Sequence, residues 1–109
     1  MNFIKLLTKF NLAENYQPEK NKEINVLFNE ERSKVIEVKL FNGEILAKHS
    51  TPSPIMVLCL SGNGIFKAGE NLEEEQKLTQ GALIYLEKEI MHEVVAGPDL
   101  RILVTKFSE

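Results

Sequence analysis

Residues 43–62 read Gly-Glu-Ile-Leu-Ala-Lys-His-Ser-Thr-Pro-Ser-Pro-Ile-Met-Val-Leu-Cys-Leu-Ser-Gly. Before the prolines, Ile45, Ala47 and His49 alternate with Glu44, Leu46 and Lys48, the period-two spacing of a strand. Thr51-Pro52-Ser53-Pro54 then makes a stiff corner, because proline fixes φ and restricts the residue before it. Ile55 to Leu60 is the longest apolar run in the chain. It is far too short to span a membrane and has the length of a buried strand. A histidine therefore ends one predicted strand, just ahead of a corner that leads into the most buried one.

The same grammar extends on both sides. Ile24 to Phe28 and Val35 to Phe41 are predicted strands, with Asn42-Gly43 as a hairpin turn. Ser61-Gly62-Asn63-Gly64 is predicted to turn the chain between Leu60 and the strand Ile65 to Ala68. Leu72 to Leu78 carries Glu73-Glu74-Glu75, a solvated edge. Ala82 to Leu86, Met91 to Ala96 and Leu100 to Phe107 complete the set, with Gly97-Pro98-Asp99 as the last turn. Short strands broken by turns at this spacing imply an all-β sandwich or barrel. No helical pattern lies between them, so parallel βαβ units are excluded.

At 109 residues the chain is one domain. Residues 1–23 form a lead-in and 24–107 the barrel. Phe3, Leu6, Leu7 and Phe10 stand at helical spacing, so the lead-in is expected to be a short amphipathic helix or an extended segment. A net charge of -3, with no basic cluster, points away from nucleic acid and from anionic membranes. Lys5 and Lys9 interrupt any signal-peptide pattern. The single cysteine, Cys59, allows no intrachain disulfide and no cysteine-based zinc site. A cytoplasmic location is the expectation.

His49 and His92 are the only histidines. His92 shares a face with Val94 and Ala96, and strict alternation puts His49 with Ile45, Ala47 and Thr51. Both imidazoles are therefore expected inside the barrel wall. No phosphate loop or nucleophile elbow is present, and Cys59 reads as a buried small hydrophobe.

Residues 43–62 and 81–96 resemble the two motifs of the cupin family. Gly43, His49 and Gly62 stand at the first glycine, the first histidine and the closing glycine of the first motif. Gly81 and His92 match the opening glycine and the histidine of the second. The resemblance implies a cupin-like double-stranded β-helix, a jelly-roll barrel. It also implies a divalent metal site of histidines and one glutamate. Here Thr51 stands at the second histidine position, and Ile55 or Met56 at the glutamate position. Glu87, Glu89 and Ala96 replace other motif residues.

These departures lead to one expectation and two alternatives. The expectation is a small-molecule-binding module with a pocket of His49, Thr51, Ile55, Val57, Cys59, Tyr85 and His92. Its metal site is weakened or absent: at most a divalent ion (Fe, Zn, Mn or Ni) weakly held by His49 and His92. Glu87, Glu89 or Glu93 is then the candidate third ligand. The first alternative is a metal-dependent oxygenase or isomerase using His49 and His92. The second is a structural or interaction domain whose two histidines are satisfied by hydrogen bonds. Met56, Leu58 and Leu60 make the central strand apolar on both faces, so a homodimer is expected.

Overall fold

Alternating sequences become strands wherever one face can be buried. The computed structural model describes residues 3–12 and 19–108. Its strands are β1 Lys22–Glu30, β2 Ser33–Leu40, β3 Ile45–His49, β4 Ile55–Ala68, β5 Glu74–Leu78, β6 Leu83–Leu86 and β7 His92–Phe107. All pairings are antiparallel, and no helix occurs among the described residues.

β4 and β7 are longer than the sequence suggests. They pair from Ile55 opposite Lys106 to Ala68 opposite His92. The glycine-rich stretch at 61–64 and Gly97-Pro98-Asp99 do not end strands. They bend them, and the register slips between Cys59 and Ser61 and again between Gly62 and Gly64. The bend divides both strands into halves that serve two layers. One layer runs β1-β2-β7-β4-β6, and the other β3-β7-β4-β5. β5 is an edge strand with exposed glutamates, as the acidic run implies. The core between the layers is apolar, with Val38, Leu40, Val57, Leu78, Val94, Leu100 and Ile102 almost wholly buried. Each such aliphatic side chain contributes about 1.5–3 kcal/mol.

Asn42 and Gly43 both adopt positive φ, at 57° and 74°, and the Glu44 amide donates to the Phe41 carbonyl at 3.1 Å. The turn forms, but the strands it joins do not pair with each other. β2 pairs with the second half of β7 and β3 with the first half. The turn is tied to the bend of β7: the Gly43 amide donates to the Pro98 carbonyl (2.8 Å) and the Ala96 amide to the Glu44 carbonyl (3.0 Å).

The N-terminal helix is not formed. Residues 3–11 carry no regular structure, and Phe3, Ile4 and Leu6 are more than 80% exposed. A ten-residue helix is marginal without a surface to bury its apolar face, and Phe3, Ile4 and Leu6 find none. The end of the segment does reach the sheet. The Asn11 carbonyl accepts from Arg101 Nη1 at 3.0 Å, and the Arg101 guanidinium lies 6.0 Å from the Phe10 ring. Residues 13–18 of the lead-in lie outside the described residues.

Candidate functional site

His49 faces the interior for a reason that strict alternation misses. Along β3 and β7, Leu46 opposes Val94 and His49 opposes His92. Three steps on β3 match two on β7, so the extra residue puts Leu46 and His49 on one face. Ile45 is 40% exposed and Ala47 is exposed as well, contrary to the face assigned from periodicity. The loop before His92 is pinned to the proline corner after His49, where the Glu89 amide donates to the Thr51 carbonyl at 2.7 Å.

The bulge brings the two imidazoles together. Their ring centroids are 4.2 Å apart with planes at 57°. Phe66 stacks against His92 at 5.5 Å and 11°. His49 Nδ1 lies 2.7 Å from the Ala47 carbonyl, and His92 Nδ1 lies 2.9 Å from the Ile90 carbonyl. A carbonyl only accepts, so each Nδ1 carries a proton and donates it. In the neutral ring Nε2 is then left as an acceptor.

Both rings border a cavity of about 180 Å³. His49, Thr51, Ile55, Val57 and His92 line it, together with Phe66 and Val104. Lys106 also lines it, and the sequence reading did not select it. The signal was present, because Lys106 has the same parity on β7 as buried Leu100, Ile102 and Val104. Thr51 Oγ1 donates to the Ser53 carbonyl at 2.8 Å, which holds the corner.

Two expected pocket residues lie elsewhere. Tyr85 is 57% exposed and opposes Met56 on the outer face of β6. Cys59 is buried beyond the cavity, and its thiol is 3.6 Å from the Ser61 carbonyl. Burial pushes its pKa up despite that contact, which makes it a poor nucleophile.

The residues present do not fit a resident divalent metal. Ile55 is 3% exposed and has no donor atom. Lys106 lies directly opposite it in the ladder, so an ammonium stands beside the place where a carboxylate would neutralise a cation. Glu87 and Glu89 are exposed, and Glu93 opposes Lys67 on the alternate face of β7 from His92. Among the described residues no group of three histidine, cysteine, aspartate or glutamate side chains converges.

His92 is 3% exposed. Burial lowers its pKa below the ordinary histidine value, opposed by the Ile90 carbonyl and assisted by the facing charges of His49 and Lys106. The unfolded chain therefore takes up a proton at a pH where folded His92 does not. Stability is full above the unfolded value and falls as pH drops below about 6.5. Urea midpoints at pH 7.5 and 5.5 will differ more for the parent than for His92→Gln. Equal differences would contradict this assignment.

No protein-family model matches the chain, and no curated protein matches it. Solved structures do match. A conserved protein of unknown function from Streptococcus pyogenes has a TM-score of 0.79 at 20% identity, covering 99% of this chain and 93% of that one. A cupin superfamily protein from Desulfitobacterium hafniense has a TM-score of 0.78 at 12% identity, covering 86% and 84%. An RmlC-like cupin protein from Desulfovibrio desulfuricans has a TM-score of 0.76 at 21% identity, covering 94% and 97%. The two bent strands, the two layers they share and the agreement with these structures establish that the protein has the cupin fold.

Proposed function

We propose that this barrel is a small-molecule-binding module whose ligand occupies the cavity beside His49 and His92. The observation that carries this reading is the pairing of apolar walls with two imidazoles, each bonded through Nδ1 to a nearby backbone carbonyl, on one pocket of about 180 Å³. A dry apolar cavity of about 150 Å³ is enough to hold benzene, so a single ring with one hydrogen-bond donor fits. Benzyl alcohol is a suitable probe. It is expected to bind with a dissociation constant of about 1 mM or tighter and to shift the amides of Val57, His92 and Val94. His92→Phe keeps the ring and removes the acceptor, and is expected to weaken binding about fivefold. Absence of shifts at about 10 mM probe would remove the reading.

The barrel is also proposed to pair with a second copy of itself. Met56, Leu83 and Tyr85 are 37%, 60% and 57% exposed, and Tyr85 lies beside Met56 as Leu83 lies beside Leu58. Contiguous exposed apolar surface of this kind marks an interface. Light scattering is expected to give a dimer for the parent and a monomer for Met56→Glu. A monomeric parent at micromolar concentration would dismiss the pairing.

A further inference from the structure

We propose that the pocket takes a small monocarboxylate with an apolar body, its anionic group held by Lys106 at the mouth and its body packed beside Phe66 and the two imidazoles. This rests on the small-molecule reading above and gives that ligand its chemical class.

Among the described residues that line the cavity, Lys106 is the only formally charged one. The inward row of β7 runs Leu100, Ile102, Val104 and ends in Lys106. A half-buried ammonium at the end of an apolar row has given up part of its hydration, which a counter-charge would compensate. Nothing among the described residues supplies one, for Lys106 makes no ion pair or hydrogen bond with them. Its cross-strand neighbour on β2 is Lys34. Like charges directly opposite each other across a ladder destabilise it. Burial and then Lys34 lower the pKa of Lys106. A bound carboxylate would offset both effects.

The position of this lysine separates the two ends of the ligand. Lys106, His49 and Thr51 border both the inner cavity and an outer groove that also carries Lys34, Ser33 and Ser53. The ammonium therefore stands where the cavity meets solvent. Glu30 and Glu31 border the outer groove, are exposed, and do not reach the inner cavity. The imidazole Nε2 atoms are acceptors and repel a carboxylate, so the anion belongs at the lysine and any hydroxyl donor at the histidines. An apolar wall with one cation at its mouth favours a singly charged head on a ring or chain. A bare dianion gains nothing from the walls.

Benzoate and benzyl alcohol share a body and differ in charge, so paired titrations followed by amide shifts test the idea. Benzoate is expected to bind at least tenfold tighter than benzyl alcohol. Lys106→Met keeps an unbranched side chain one atom shorter and removes its charge. It is expected to weaken benzoate about tenfold and benzyl alcohol less than twofold, while Lys34→Met weakens benzoate about threefold. Inorganic phosphate is expected to bind at least tenfold more weakly than benzoate. Benzoate no tighter than benzyl alcohol, with benzyl alcohol bound in the cavity, would overturn the carboxylate class and leave the pocket standing. Phosphate as tight as benzoate would also overturn it, since the lysines would then form only a surface anion site. Binding of neither aromatic probe would overturn both readings. The parent's preference between the two probes decides the matter even if Lys106→Met fails to fold.

Discussion

Gly62→Ala is expected to cost about 4 kcal/mol or more, a large share of the 5–15 kcal/mol typical of a domain. Gly62 has φ +85°, where an ordinary residue is strained by about 1–2 kcal/mol. That strain is the smaller part. A Cβ there would collide with the Asp99 carbonyl oxygen and come within 3.0 Å of the Leu100 Cα. Both are backbone atoms at the bend of β7. Neither can retreat without opening the ladder that joins Gly62 to Leu100. Gly43 is the control. It has φ +74°, and a Cβ there meets nothing within 4 Å, so Gly43→Ala is expected to cost only about 1 kcal/mol. Urea denaturation of both variants checks this. Equal losses would mean that the bend yields and that the crossing at Gly62 and Asp99 does not hold the two layers together.

Arg101→Met is expected to cost about 3 kcal/mol. Arg101 Nη2 lies 2.9 Å from Glu37 Oε2, with side-chain exposures of 12% and 8%. This pair sits on the outer face of β2 and β7, beneath Phe10 and Asn11. Asn25 Nδ2 is the other contact of Glu37, at 3.5 Å. Removing the guanidinium leaves a buried carboxylate with one long hydrogen bond, which is far worse than removing both charges. The double variant Glu37→Leu with Arg101→Met is therefore expected to return to within about 1 kcal/mol of the parent. Denaturant midpoints for the parent, both single variants and the double variant give the coupling. If the two single losses simply add, the ion pair is solvated in practice and the N-terminal segment does not cover it.

The strands were legible because their period is short and each pattern is local. Val35 to Phe41 alternates over enough residues that only a half-buried strand satisfies it. The bends were not legible. Glycine and asparagine at 61–64 look the same whether the chain reverses or bulges, and only the partner strand decides. The same limit misassigned the face of Ile45 and Ala47. A one-residue bulge after Leu46 reverses the side on which each following residue lies, and nothing within residues 45–49 marks it. Of the two forms expected for the lead-in, the helix does not form, since Phe3, Ile4 and Leu6 have no surface to pack on. Tyr85 faces out because β6 pairs with β4 in a register that sets it beside Met56. Lys106 was readable from parity alone, since it falls on the row of Leu100, Ile102 and Val104.

The most direct measurement is the long-range nitrogen–proton spectrum of the His49 and His92 rings during a titration with benzyl alcohol. The expected result is that each ring carries a proton on Nδ1, with the Nε2 resonances moving as the probe saturates. Rings protonated at Nε2, or Nε2 resonances that stay fixed at saturating probe, would contradict a ligand pocket built on these two histidines.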